Sequence, residues 1–149
     1  MNYRVLIFDD DKEIRQMLWS LFDNREYEVF TFPNPALCPI SEEEVCPCGD
    51  RQACSDIILS DINMPIKNGL VFLEEQIKKG CRCNHFALMS GAFTDESVSK
   101  SKSLGIKIFK KPFKITEIIN WLDQIAKDID PERKLSGWFL KRMPENSAD

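Results

Sequence analysis

Apolar positions along this chain follow two rhythms. Short, nearly unbroken runs at residues 3–8, 27–32, 56–61, 86–90 and 106–110 have the length and composition of buried strands. Between them the spacing changes to three and four. Ile14, Met17, Leu18, Leu21 and Phe22 share one helical face, and Leu70, Leu73 and Ile77 share another. Ile115, Ile118, Ile119, Leu122, Ile125 and Ile129 mark a strong amphipathic helix over residues 115–129, stopped by Pro131. Thr94, with Asp95 and Glu96, can start a helix to Leu104, but its clear apolar anchors are only Val98 and Leu104. Such a helix should be weakly held. Five strands alternating with helices predict an α/β fold, with a parallel sheet covered on both faces.

Residues 33–55 break the rhythm. Pro33, Pro35, Pro39 and Pro47 forbid a long helix there, and "SEEEV" leaves room for at most a short one. The composition, 43% hydrophobic and 30% charged, is that of a soluble globular domain. A net charge of −4 argues against a nucleic-acid surface. No stretch approaches the roughly 20 apolar residues that span a membrane. The opening "NYRVLIF" lacks the features of a signal peptide, so the expected compartment is the cytoplasm, with no membrane partner.

The stretch "VLIFDDDK" places Asp9, Asp10 and Asp11 directly after an apolar run. Like charges about 4 Å apart repel by about 4 kcal/mol at an effective dielectric near 20, so water, a cap or a cation must offset them. Asp11 is a natural N-cap for the following helix. The other strand ends carry Asp61, Ser90 and Lys111 before Pro112. Open α/β sheets bind ligands at the carboxyl ends of their strands, where strand order reverses. Carboxylates, a hydroxyl and an ammonium gathered there suit a hard cation and a phosphoryl group. Mg²⁺ takes oxygen ligands and keeps several waters, and a carboxylate can attack phosphorus. Phosphoryl transfer is then mostly positioning and charge neutralisation.

Four motifs, "FDDDKEIR", "SDINMPIKNG", "LMSGAF" and "FKKPF", stand in this order, each at a strand end. Together they resemble the receiver domain of two-component response regulators, over about residues 3–128. The resemblance implies a flavodoxin-like, doubly wound five-stranded parallel sheet in the order 2-1-3-4-5. It implies Asp61 as phosphoacceptor and Asp9 and Asp10 as the acidic pair, Asp10 touching Mg²⁺ directly and Asp9 through water. Asn63 would lend its backbone carbonyl to the metal, Ser90 would turn to bond the phosphoryl group, and Lys111 would ion-pair with it. A cis Lys111–Pro112 peptide and a tight turn at Gly69 are also implied, and Asn63 and Ala92 would flank the phosphoryl site and influence water access.

The implied function is a stand-alone switch that takes a phosphoryl group from a histidine kinase or phosphotransfer protein. It would phosphorylate and dephosphorylate itself, without turnover on an external substrate. Its output would be contact with a downstream protein through the family's helix four, strand five and helix five. Residues 1–128 would form the receiver, with the insertion at about 33–55, and 129–149 a tail without an output domain. One departure is Ile108, where receivers often carry an aromatic residue three positions before the lysine; Phe109 lies one place later.

Two rival readings remain. "FDDDK" also resembles the loop of haloacid dehalogenase-like phosphatases, with Asp9 as nucleophile and Asp11 as acid. The further acids that class needs would have to be Asp123, Asp128 or Asp130, which lie on or after a helix. The second rival is a metal or redox sensor. If strands three and four are neighbours, Cys46, Cys48, Cys54, Cys81 and Cys83 gather at the end opposite the acidic residues, with Cys38 apart. Four thiolates can hold Zn²⁺ and order the proline-rich insertion. Their Cys-x-Cys spacings differ from the usual two-residue gap, and a disulfide or plain reduced thiols are the other readings. His85 is the only histidine, which leaves little room for a histidine-dependent hydrolase. Trp138, Phe139 and Leu140 in the tail are expected to fold back on the domain, with partner docking as the second reading.

Overall fold

The alternation in the first strand sets the layering. In β1 (Arg4–Phe8) every residue is buried, with Val5 and Ile7 facing one layer and Leu6 and Phe8 the other. A strand covered on both faces belongs in the middle of a parallel sheet. The computed structural model describes residues 3–48, 52–138 and 140 and places it there. The elements run β1, α1 (Lys12–Asn24), β2 (Glu28–Phe32), β3 (Gln52–Ala53), β4 (Ile57–Asp61), α2 (Gly69–Lys78) and β5 (His85–Ser90). Then come α3 (Asp95–Ser103), β6 (Lys107–Lys110), α4 (Ile115–Ile125) and β7 (Lys134–Leu135).

The main sheet has the order β2-β1-β4-β5-β6, and every pairing in it is parallel. This is the expected 2-1-3-4-5 order; the two-residue β3 merely takes a number. α1 and α4 cover the face of Val5, Ile7, Ile57, Leu59, Ala87, Met89 and Phe109. The opposite face, with Leu6, Phe8, Ile58 and Leu88, is covered by α2 and by the segment between β2 and β4.

That segment holds the main local surprise. Among the described residues it forms no α-helix but two 3-10 turns, Pro35–Leu37 and Pro39–Ser41. Asn34 caps the first, its Oδ1 accepting from the Ala36 amide at 3.0 Å. The short helix allowed at "SEEEV" does not form, because the chain leaves the second turn at Glu42 with its residues largely facing solvent. One correction concerns residues 115–129. The α-helix ends at Ile125, tightens into a 3-10 turn at Ala126–Asp128, and Ile129 is extended. The residue before a proline is pushed out of helical geometry, and the unwinding begins a few residues ahead of Pro131.

α3 is as sparsely anchored as its sequence suggests. Thr94 and Ser97 form a capping box at its start, yet Ser101 is its one buried residue and Val98 is 41% exposed. The tail does fold back. β7 pairs in parallel with β3, the Ser136 amide donates to the Ala53 carbonyl at 2.7 Å, and Trp138 and Leu140 pack on the core. The expectation for Phe139, and those for 49–51 and 141–149, lie outside the described residues. No helix among the described residues is long and apolar enough to cross a membrane.

Candidate functional site

The acidic residues predicted at separate strand ends meet. β1 ends at Phe8 and β4 at Asp61, and the two strands are hydrogen-bonded neighbours. Carboxylate oxygens of Asp9, Asp10 and Asp61 all lie within 4.8 Å of one another. Asp9 is fully buried, Asp61 nearly so, and Asp10 is exposed. Lys111 reaches in from the end of β6, its Nζ 2.9 Å from Asp9 Oδ2 and 3.3 Å from Asp61 Oδ1. Its backbone amide donates to the Ser90 carbonyl at 2.8 Å, and the Lys111–Pro112 peptide is cis.

Several local contacts hold these groups. The Asp11 amide donates to Asp9 Oδ1 at 2.9 Å, fixing the Asp9 carboxylate. Asp11 Oδ1 accepts from the amides of Glu13 and Ile14, so Asp11 is the helix cap. Gly69 opens α2 against the Asp61 backbone: a Cβ there would stand 1.9 Å from the Asp61 carbonyl oxygen. No side chain fits, which accounts for the glycine.

Electrostatics separate the groups further. Burial, then the charge of Asp9, pushes the Asp61 carboxyl up to about 6, against the pull of Lys111. Burial acts to lower Lys111, but its hydrogen bond to Asp9 and the charges of Asp9 and Asp61 outweigh it and hold it above the usual value. Three carboxylates face one ammonium, leaving local negative charge for a cation to neutralise. Oxygen donors, one of them on an exposed side chain that leaves room for bound water, fit Mg²⁺.

The remaining predicted residues are near but engaged differently. Ser90 ends β5, yet its Oγ donates to the Ala92 carbonyl and accepts from the Ala92 amide, both at 3.1 Å. Asn63 is exposed two residues beyond Asp61. Phe109 is buried on the far face of the sheet against Trp121, with ring centroids 5.5 Å apart, so it does not stand in for the aromatic missing at Ile108. Two features escaped the sequence reading. Arg15 Nη1 donates to the Asp9 carbonyl at 2.7 Å, a contact that no spacing rule announces. Ile66, in the loop after Asp61, sits at φ 76°, a strained geometry for a β-branched residue.

Comparison with known proteins decides the family. No family model matches the chain. Sporulation initiation phosphotransferase F of Bacillus subtilis is 30% identical over 122 residues, which cover 79% of this chain and 89% of that protein. The chain belongs to the receiver family of two-component response regulators. The transcriptional regulatory protein FlgR of Helicobacter pylori is 26% identical over 135 residues, 88% of this chain. This receiver spans only about a third of FlgR's length, 32%. Among solved structures, the receiver domain of the Francisella response regulator 1452 is 25% identical with a TM-score of 0.67, covering 85% of this chain and 98% of that one.

As a member of that family, the domain is a phosphorylation-dependent signalling switch module. Receiver domains bind Mg²⁺ at an acidic pocket of the kind that Asp9, Asp10 and Asp61 form here. Nothing in the site favours the phosphatase alternative: Asp9 is locked onto Lys111 and the Asp11 amide, and Asp11 is occupied as a cap.

Proposed function

We propose that Asp61 is the phosphoacceptor, taking its phosphoryl group from a sensor histidine kinase or a phosphotransfer protein. The observation that carries this reading is the placement of Asp61 at a strand end between Asp9 and Lys111, with Nζ 3.3 Å from its Oδ1. A carboxylate oxygen of Asp61 attacks phosphorus, the new O–P bond forms as the P–N bond of phosphohistidine breaks, and the imidazole recovers a proton. Asp9, Asp10, Asp61 and the Asn63 carbonyl would hold Mg²⁺, which would supply charge neutralisation for the phosphoryl oxygens. Lys111 gives up its pairing with Asp61 and binds a phosphoryl oxygen. The Ser90 hydroxyl leaves Ala92 to donate to another. With small phosphodonors the switch loads itself, and hydrolysis by water past Asn63 and Ala92 resets it.

The output surface is α3, β6 and α4, the positions of the family's helix four, strand five and helix five. α3 has little apolar anchorage to resist a shift, and a cavity of about 260 Å³ lies between β6 and α4, lined in part by Ile108, Phe109 and Trp121. Without an aromatic at 108, coupling to this surface runs through Ser90, the loop to Thr94 and α3. We take residues 1–128 as the receiver and 129–149 as an appended segment.

The test is intact-protein mass after incubation with Mg²⁺ and acetyl phosphate, beside Asp61→Asn. A single labile phosphoryl adduct on the parent, absent from the variant and blocked by chelator, is the expected result. An adduct that survives Asp61→Asn but disappears in Asp9→Asn would overturn the assignment.

A further inference from the structure

At the opposite end of the sheet the cysteines do not build the zinc site that their number suggested. Among the described residues, Asp9, Asp10 and Asp61 are the one group of three or more acidic, histidine or cysteine side chains close enough to share a metal ion. The thiols instead make one sulfur–sulfur contact among the described residues: Cys54 Sγ and Cys81 Sγ are 3.9 Å apart. Three of the others are placed differently. Cys83 is buried and its thiol donates to the His85 carbonyl at 3.5 Å, Cys48 Sγ accepts from Trp138 Nε1 at 3.3 Å, and Cys38 is fully buried beside the second 3-10 turn.

Both sulfurs of the contact stand on backbone that is held independently of them. α2 ends at a left-handed Gly80, φ 81°, where the Gly80 amide donates to the Ile77 carbonyl and the Cys81 amide to the Gln76 carbonyl, both at 3.1 Å. This double closure satisfies the last carbonyls of the helix and fixes where Cys81 leaves it. Cys54 directly follows β3, which is paired with β7, and its carbonyl accepts from Arg4 Nη1 at 3.0 Å. Two thiols held in this way stay side by side without a bond between them. A disulfide needs its sulfurs about 2.05 Å apart, so each has to move by about 1 Å, which side-chain rotation supplies. Exposure divides their roles. Cys81 is half-buried and open to a small solute, whereas Cys54 is 1% exposed. The hydrogen bond from the Cys54 thiol draws Cys81 below the ordinary thiol value, against its burial, which favours the nucleophilic thiolate.

We propose that hydrogen peroxide oxidises Cys81 and that Cys54 then closes a reversible disulfide with it, tying the approach to β4 to the turn after α2. The Cys81 thiolate attacks one peroxide oxygen, the O–O bond breaks, the leaving hydroxide takes up a proton as water, and a sulfenic acid remains on Cys81. Cys54 loses its proton and attacks the Cys81 sulfur; the S–S bond forms as the S–O bond breaks, and a second water leaves. Two thiols thus give up two electrons and two protons, and one peroxide becomes two waters. The bridged residues are 27 positions apart, and the chain between them holds β4, Asp61 and all of α2. A cross-link restricts the unfolded chain, so oxidation staples the unit that carries Asp61 without entering the acidic pocket at the other end. The bridge stands whether or not Asp61 is phosphorylated.

The test treats the reduced full chain with equimolar hydrogen peroxide and reads free thiols, intact mass and a non-reducing peptide map. Of the six thiols, two should disappear, with the loss of two hydrogens in mass, one Cys54–Cys81 cross-linked peptide, and full recovery in dithiothreitol. The urea midpoint of the bridged form should lie above that of the reduced form. Cys54→Ser should stop at a sulfenic acid on Cys81 that dimedone traps, and Cys81→Ser should keep all its remaining thiols. Cys38→Ser and Cys83→Ser should bridge like the parent. Should the Cys54 or Cys81 variant fail to fold, brief alkylation of the parent decides: Cys81 should be alkylated before Cys54, and its alkylation should block the bridge. A bridge from Cys81 to Cys46 or Cys48, a disulfide between chains, oxidation of Cys81 straight to sulfinic acid, or six thiols that survive the peroxide would each overturn the assignment. A bridged form no more stable than the reduced one would overturn the stapling.

Discussion

At the carboxyl end of the sheet, Asp9, Asp10 and Asp61 face a single ammonium, whereas at the amino end one buried carboxylate, Asp56, is fully satisfied by the protein. Arg133 grips Asp56 with two bonds of 2.7 Å, and the Arg4 amide adds a third at 2.9 Å. Arg4 then ties the same corner to Glu28, to the Cys54 carbonyl and to the Ser136 carbonyl. Both ends bury acids, but only one completes their neutralisation. A paired, multiply bonded carboxylate contributes to architecture. A cluster left with excess charge is poised for a cation and a reaction, and Asp61, pushed up to about 6, records that imbalance.

The sharpest way to break this contrast is to remove the cation from each end in turn. Lys111→Ala takes away the one fixed charge aimed at the phosphoryl group. Loss of a single such donor costs about 10²–10³ in rate, so acetyl phosphate labelling should slow by that order, measured by mass at matched times. Labelling at the parental rate would remove Lys111 from the mechanism. Arg133→Ala at the other end should leave labelling intact but destabilise the fold by about 3 kcal/mol, because it strands a buried charge. Urea denaturation reads the difference. A variant that unfolds like the parent would show that Asp56 does not need its clamp.

The two ends were unequally legible in the sequence. Asp9, Asp61, Ser90 and Lys111 could be placed because each closes an apolar run, and strand ends are where period-two patterning stops and chemistry begins. The sheet order came with the family resemblance, and the convergence of those ends followed from it. The Asp56–Arg133 clamp is 77 residues apart in sequence and lies on no periodic element, so nothing local announces it. The proline-rich segment was legible only as a negative, since proline forbids a helix without saying what replaces it. The thiols were expected at one end from the strands they precede, but which of them touch is a matter of side-chain direction. Cys81 Sγ comes within 3.9 Å of Cys54 Sγ, whereas Cys83, two residues on, is buried with its thiol on the His85 carbonyl. Ile129 continued a helical rhythm that the backbone had already abandoned at Ile125.

A smaller effect tests the imbalance itself. With Asp61 at about 6 folded and 3.8 ordinarily, the metal-free native state takes up a proton before the unfolded chain does. Asp61 therefore costs stability at neutral pH, and the cost fades as pH falls from about 6 to about 4. In chelator, Asp61→Asn should be more stable than the parent at pH 7.5 by on the order of 3 kcal/mol at most, and the gap should close near pH 4. Saturating Mg²⁺ should shrink or reverse it, since the amide is the poorer ligand. A gap that ignores both pH and Mg²⁺ would mean that Asp61 is not the strained group.

The smallest effect separates Asp11 from its two acidic neighbours. Three aspartates stand in a row, but Asp11 Oδ1 is spent on the amides of Glu13 and Ile14, at 2.9 and 3.4 Å. Removing an N-cap of this kind costs about 1 kcal/mol and changes nothing that a phosphoryl group would touch. Asp11→Ala should therefore lower the unfolding midpoint slightly while the rate and stoichiometry of labelling stay at the parental level. A phosphatase of the haloacid dehalogenase type would behave oppositely, because there this position is the acid for the leaving group and its loss cripples turnover while scarcely touching the fold. The same variant thus weighs a cap against a catalyst, by whether stability or chemistry moves.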